Sequence, residues 1–247
     1  LPMDNVRTLS VDPSTGNIGW DGTYYYPLED SRYVKFCAYH PYAATAGSGN
    51  FAVEAPSAGQ APVLRFTLSG QEDVMYAAPV VGNRNQSPMG LEFRHALTQL
   101  RFQLSDPYNA FQDETINSIV FLNVNASGSM NIETGELGPW STPAELTTPG
   151  IGSVAITGTP DAPQPVGKEM MLPPGQASFN IRVSTSRGTY ENVVIRPTSS
   201  VGGVPETAFA AGRSYLVTLT LQQMSDIVLS ATVVPWQLAG TGAGVVQ

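Results

Sequence analysis

The stretch EFRHALTQLRF, residues 92–102, decides the fold class, because its apolar residues fit a helix and a strand almost equally well. With the helical period of about 3.6 residues, one face carries Phe93, Ala96, Leu97, Leu100 and Leu104. With a period of two, one face carries Leu91, Phe93, His95 and Leu97, and the alternation then changes to Leu100, Phe102 and Leu104. A strand with such a change requires a β-bulge or burial on both faces.

The composition of the whole chain favours the strand. The 247 residues include 24 glycines and 20 prolines, well above the roughly 12 % that the two residues contribute to an average protein. Charged residues make up only 13 %, against about 25 % on average. A chain so rich in helix breakers and so poor in Lys and Glu does not sustain many long helices. We therefore interpret residues 91–104 as a strand with a bulge near Thr98.

Other segments alternate clearly between apolar and polar residues. Phe179, Ile181 and Val183 form one such series, and Tyr215, Val217, Leu219 and Leu221 form another. Short alternating strands separated by turn residues are typical of β-sandwiches. The sequence therefore predicts an all-β protein of antiparallel β-sandwiches, with surface connections at residues 40–62 and 138–150 and a domain boundary within residues 79–90.

Charge and cysteine content exclude several classes of protein. The net charge is −8 and the basic residues are scattered singly. Because the chain has no run of basic residues to bind a phosphate backbone, nucleic acid is not expected as a partner. No apolar run approaches the ~18 residues that span a bilayer. Cys37 is the single cysteine, so no internal disulfide is expected.

The residue types that normally carry catalysis do not occur in combinations that would form an active site. His95 lies on the apolar face of its strand, where we expect it to pack and to bond a backbone carbonyl, a structural role. Cys37 and His40 have opposite parity on a strand, and the chain holds no G-x-S-x-G motif. No metal-ligand spacing and no phosphate-binding glycine loop is present. The sequence thus predicts no catalytic residues, no metal, no cofactor and no enzyme activity.

Aromatic residues are concentrated in the first part of the chain. Trp20, Tyr24, Tyr25 and Tyr26 are followed by Tyr33, Tyr39 and Tyr42, so that six of the ten tyrosines lie close together. If the rings are exposed, they would form a platform on which sugars stack or an adhesive patch. The alternative is that they pack against the edge of a sandwich. Trp20, Tyr24, Tyr25 and Tyr26 are the candidate ligand-binding patch.

Six motifs, in order along the chain, together resemble one family. They are YYYPLED…VKFCAYHPY (24–42), QEDVMYA (71–77), LEFRHALTQLRFQL (91–104), LPPG (172–175), FAAGRSYLVTLTL (209–221) and ATVVPW (231–236). Each motif is short, but their order and spacing are similar to those of the fimbrillins, the type V pilus subunits of Gram-negative gut and oral anaerobes. The resemblance extends over most of the chain.

The resemblance implies two transthyretin-like antiparallel β-sandwich domains, at residues 1–85 and 86–247, the first without its initial strands. His95 would lie in the first strand of the second domain. The family relationship also implies export as a lipoprotein precursor to the outer membrane and the fimbrium. Other fimbrial subunits would be the partners, joined by donor-strand addition, and a host or bacterial surface glycan or protein would be the adhesive target. The alternative function is a surface glycan-binding module that uses the aromatic patch.

The segment after Trp236, QLAGTGAGVVQ, is the candidate polymerisation tail. Val245 and Val246 are its candidate apolar anchors, and because they have opposite parity, only one of them can point into a groove. A donor strand normally presents several alternating apolar side chains. We therefore expect this chain to accept a strand more readily than it donates one.

Overall fold

The computed structural model describes residues 5–43, 49–54, 60–86, 90–198, 200–201, 204–221 and 227–234. Within these ranges the chain forms eighteen strands and no helix, which confirms the prediction of an all-β protein. No helix there is long and apolar enough to cross a membrane. The strands are β1 (Thr8–Val11), β2 (Ile18–Trp20), β3 (Val34–His40), β4 (Phe51–Glu54), β5 (Val63–Thr67), β6 (Met75–Gly82), β7 (Phe93–His95), β8 (Thr98–Ser105), β9 (Thr115–Asn131), β10 (Ser141–Thr147), β11 (Val154–Ala155), β12 (Gln164–Leu172), β13 (Phe179–Thr185), β14 (Thr189–Ile195), β15 (Ser200–Val201), β16 (Val204–Pro205), β17 (Ser214–Leu221) and β18 (Ile227–Val234).

The larger hydrophobic core, the first cluster, joins two sheets. One is a four-stranded sheet in the order β12-β8-β17-β18, and the other is a seven-stranded sheet built on β14-β13-β9-β5-β4 with β10 and β11 also paired to β9. A continuous series of ring contacts at 4.9–5.8 Å between centroids crosses this core, through Phe102, Phe121, Phe179, Phe209 and Tyr215. Among the described strands all pairs are antiparallel except β8 with β17, which is parallel. The alternation predicted for β13 and β17 is observed as buried residues on one face.

A second, smaller cluster lies against the three-stranded sheet β3-β6-β7. Leu64 and Phe66 of β5 are buried members of it, and Cys37, Tyr39 and Tyr76 pack against it from β3 and β6. Residues well beyond the first third of the chain also belong to it, among them Leu97, Met130 and Ile132. The division at residues 85 and 86 into two transthyretin-like domains stays a prediction.

Strand β9 runs through both clusters. One of its edges pairs with β13 at Ile116–Leu122 and then with β5 at Ser127–Asn131, and its other edge pairs with β11 and β10. A bulge lies in the middle, where the register with β10 shifts and Asn123 has a φ of 53°. Because a bulge reverses the alternation, Ile119 and Phe121 are buried before it and Val124, Ala126 and Met130 after it.

The bulge expected near Thr98 is wrong. Residues 93–95 form β7, which pairs with β6, whereas β8 pairs with β12 and β17 in a different sheet. Ala96 and Leu97 link the two strands and are buried in the second cluster. Ala96 N–H donates to the carbonyl of Val74, and Gly212 N–H donates to the carbonyl of Leu97, both at 2.8 Å. The alternation changes because the chain passes from one sheet to another.

Two segments interpreted as connections contain strands, which corrects that prediction. Residues 40–62 include β4, and residues 138–150 include β10. Strand β10 pairs only with β9 among the described strands, and most of its side chains are exposed. An edge strand of this kind tolerates polar residues and proline, so its sequence carries little of the apolar alternation that marks a strand.

A substitution at Gly128 tests the packing where β9 enters the second cluster. A Cβ atom at this position would lie 2.9 Å from Trp140 Cε3 and Cζ3 and 3.1 Å from Phe66 Cε2. We expect Gly128→Val to lower the free energy of unfolding by about 1–3 kcal/mol, the usual cost of overpacking. Chemical denaturation measures the change. Gly152→Ala is the control, because a Cβ atom added at the exposed Gly152 would have no neighbour within 4 Å; equal stability of the two variants would contradict this packing.

Candidate functional site

His95 forms a pair with Asp73. Its Nδ1 lies 2.9 Å from Asp73 Oδ1, and the two side chains are 15 % and 27 % exposed. The sequence suggested a bond to a backbone carbonyl, and the structure adds this bond to a carboxylate. The pair joins β7 to the segment that precedes β6. Among the described residues no group of three or more His, Cys, Asp and Glu side chains could hold a metal ion.

Cys37 and His40 lie on β3 and are separated in environment. Cys37 is half-buried against the second cluster, and burial, followed by the charge of Glu133, raises the pKa of its thiol. A raised pKa disfavours the reactive thiolate. His40 is exposed at the end of the strand. This arrangement offers no activated nucleophile at Cys37.

The aromatic residues near the start of the chain have different environments. Tyr24 donates its hydroxyl hydrogen to the carbonyl of Asp21 at 3.0 Å, and Trp20 is half-buried in β2. Tyr26 packs edge-on against Phe36 at 6.0 Å between centroids, with its hydroxyl buried and unbonded. Tyr25 is 85 % exposed. Of the four candidate ligand-binding residues, Tyr25 thus presents by far the most free ring surface.

An open cleft of about 670 Å³ is formed by three segments that are distant in sequence. Leu137 and Trp140 come from the β9–β10 connection, Pro174 and Gly175 from the β12–β13 turn, and residues 204–211 and 213 from β16 and the segment that joins it to β17. Sequence reasoning missed this cleft because none of the three segments carries a recognisable binding motif. LPPG and FAAGRSY are recognisable only as parts of a family pattern.

Three polar side chains lie together at the cleft. Tyr215 donates its hydroxyl hydrogen to Glu206 Oε1 at 3.2 Å and accepts the backbone N–H of Ala210 at 3.0 Å. Arg213 Nε lies 3.6 Å from Glu206 Oε1, and the side chains of Arg213 and Glu206 are 36 % and 9 % exposed. Burial, aided by the Glu206 carboxylate, raises the pKa of Tyr215. Tyr215 thereby fixes the segment that lines the cleft.

Removing the Tyr215 hydroxyl should loosen this segment. Tyr215→Phe leaves the N–H of Ala210 without its acceptor, so we expect a loss of about 1–3 kcal/mol in the free energy of unfolding. Tyr25→Phe, at an exposed ring, should change stability by less than about 0.5 kcal/mol. Urea denaturation at neutral pH measures both, and a Tyr215→Phe variant as stable as the wild type would contradict the role given to the hydroxyl.

The same variant should change the dependence of stability on alkaline pH. The pKa of Tyr215 is raised in the folded state, whereas an unfolded tyrosine ionises near pH ~10. The folded state then holds more protons than the unfolded state, so wild-type stability falls as the pH rises above about 10. This fall should be smaller in Tyr215→Phe, with a remainder from Tyr39, whose pKa burial also raises. Identical slopes for variant and wild type would contradict the assignment.

Comparison with known proteins gives one family and a set of similar structures. Residues 3–236 match the model of the fimbrillin-like family. A Bacteroides uniformis structure assigned to cell adhesion is 20 % identical with a TM-score of 0.59, over 90 % of this chain and 80 % of that one. A Bacteroides vulgatus fimbrial protein is 14 % identical with a TM-score of 0.61, over 89 % and 82 % of the two chains. At these identities the structures show a shared fold. No curated protein sequence matches the chain.

Proposed function

The chain belongs to the fimbrillin-like family, and from this premise we propose that it is a non-enzymatic structural and adhesive subunit of a cell-surface fimbria. The observation that carries the proposal is the family match over residues 3–236. In this proposal the chain is exported as a lipoprotein precursor, reaches the outer membrane and the fimbrium, and has other fimbrial subunits as partners. Subunits join by the addition of an extended strand from one to the sheet of the next.

The ribbon formed by β1 and β2 supports strand addition. Within the described residues β1 pairs on one edge only, with β2. Its side chains are exposed throughout, including Leu9 at 60 % and Val11 at 56 %. An unpaired edge with exposed apolar side chains is a template for another strand. Each apolar side chain covered by an added strand would contribute about 1.5–3 kcal/mol before ordering costs.

We expect this chain to act as the acceptor in assembly. The test mixes the purified chain with the neighbouring subunit of the same operon and measures SDS-resistant ladders. Ladders should disappear in the double variant Leu9→Asp/Val11→Asp, because charges at the β1 edge oppose burial. They should persist in Val81→Asp, which places one aspartate at a valine that is 62 % exposed on β6.

The tail provides the second arm of this experiment. Val245 and Val246 lie outside the described residues, and their role as a candidate polymerisation tail stays a prediction. Removing residues 237–247 should leave the ladders intact if the chain accepts a strand. Loss of ladders on removal of the tail, together with their persistence in Leu9→Asp/Val11→Asp, would show instead that the chain donates its own terminus.

The absence of enzyme activity is part of the proposal. The pairing of His95 with Asp73 and the half-buried thiol of Cys37 support it, because neither arrangement holds a nucleophile next to a base. We expect no turnover in screens for hydrolase, lyase and protease activity. A reproducible turnover that is abolished in His95→Ala but retained in His40→Ala would contradict this part of the proposal.

A second candidate function is glycan binding by Trp20, Tyr24, Tyr25 and Tyr26. The exposure of Tyr25 favours it, since an exposed aromatic ring can stack on a sugar. If this patch is the binding site, Tyr25→Ala should abolish binding on a glycan array, and Tyr24/Tyr25/Tyr26→Ala should add nothing further. Tyr42→Ala is the control, because Tyr42 is also exposed, at 45 %. Binding that survives Tyr25→Ala would exclude this patch as the site.

A further inference from the structure

We propose that the cleft between Trp140 and Arg213 is a binding site for a saccharide. It is separate from the aromatic residues near the start of the chain and from the β1 edge proposed for assembly. Its walls contain an immobilised indole ring, a guanidinium group and a carboxylate. These are the three kinds of group that recognise the apolar face and the hydroxyl groups of a sugar ring.

The indole ring of Trp140 is held in place from beneath. A Cβ atom at Gly128 would lie 2.9 Å from Cε3 and Cζ3 of Trp140, so the ring is in contact with the bare backbone of β9. Phe66 packs against the same ring at 5.5 Å between centroids and 62° between planes. Trp140 is only half-buried and also lines the cleft. A ring fixed in this way offers its free surface to a ligand without an ordering cost.

Arg213 and Glu206 supply hydrogen-bond donors and an acceptor side by side. Their contact joins Arg213 Nε to Glu206 Oε1 at 3.6 Å, and a guanidinium group has five N–H donors in all. A sugar hydroxyl both donates and accepts, so it can bond the guanidinium and the carboxylate together. With Arg213 36 % exposed and Glu206 9 % exposed, the pair combines an accessible donor with a fixed acceptor.

The segment that carries these groups is tied to its surroundings. Gly175 N–H donates to the carbonyl of Phe209 at 2.7 Å, and Phe209 N–H donates to the carbonyl of Gln176 at 2.9 Å. Gly212 is bonded to Leu97 of the β7–β8 link, and Ala210 to Tyr215. The cleft is therefore largely pre-formed, as small-molecule sites usually are.

The size and charge of the cleft select the ligand class. About 670 Å³ lies within the ~300–1,000 Å³ of small-ligand sites, enough for a few sugar units. The cleft is also open, so a longer glycan could extend from it. An anionic ligand would meet the carboxylate of Glu206 and a chain of net charge −8. A wholly apolar ligand would remove water from the Arg213–Glu206 pair without supplying hydrogen bonds in its place.

Binding is tested with the purified 247-residue chain against soluble disaccharides and a printed glycan array. Cellobiose, maltose, lactose and mannobiose, followed by saturation-transfer NMR, report free sugars, and the array reports glycans attached to surfaces. We expect at least one probe to bind in either format. Trp140→Ala and Arg213→Gln should each weaken binding at least tenfold, and Trp140→Phe should weaken it less. Tyr108→Ala removes a ring that is 69 % exposed and does not line the cleft, and it should leave binding unchanged.

Several outcomes would overturn the proposal. They are no binding to any probe, binding that Trp140→Ala and Arg213→Gln leave intact, and binding that is lost only in Tyr25→Ala. Competition by an unstructured peptide but by no sugar would also overturn it, in favour of a peptide site. Thermal melts show whether each variant folds. If Trp140→Ala fails to fold, the effect of Arg213→Gln on binding decides the test. Ladder formation should be normal in both variants, so the failure of this proposal and that of strand addition are distinguishable.

Discussion

The hydrogen-bonding of strand β9 on both of its edges is the constraint on which the rest of the structure depends. Its first half is paired with β13 and β10 and its second half with β5. A shift of one residue in the pairing register of β9 would turn buried side chains outward in both the first and the second cluster. The bulge at Asn123 allows one strand to satisfy both clusters, because it reverses the alternation between Phe121 and Val124.

The link at Ala96 and Leu97 is the second place where the clusters are joined. Its backbone is bonded to Val74 on one side and to Gly212 on the other. Gly212 precedes Arg213, so the position of the cleft depends on the same link. Trp140, seated on Gly128 of β9, completes the opposite wall. The cleft thus lies where β9 and the β7–β8 link bring the clusters together, and its geometry follows from the core packing and not from a flexible loop.

The candidate sites differ in how far the sequence could predict them. The position of Cys37 and His40 on a strand already separated them by parity, and the structure places them in different environments. The exposure of the Tyr25 ring and the burial of the Tyr26 hydroxyl group have no signature in the run YYY, because adjacent strand or loop residues differ only by what packs against them. Trp140, Glu206 and Arg213 gave no signal, since their association depends on segments about 70 residues apart in sequence.

The sequence by itself determined that this is an all-β chain. Its excess of glycine and proline, its few charges and the alternation in β13 and β17 act locally, and local preferences suffice to specify strands. Only the tertiary structure decided how residues 91–104 are used and that 138–150 contain a strand. The parity change at Ala96 and Leu97 has the same sequence pattern whether the chain bulges within one sheet or passes between two. The choice between them depends on the long-range pairing of β7 with β6 and of β8 with β17, which no local pattern encodes.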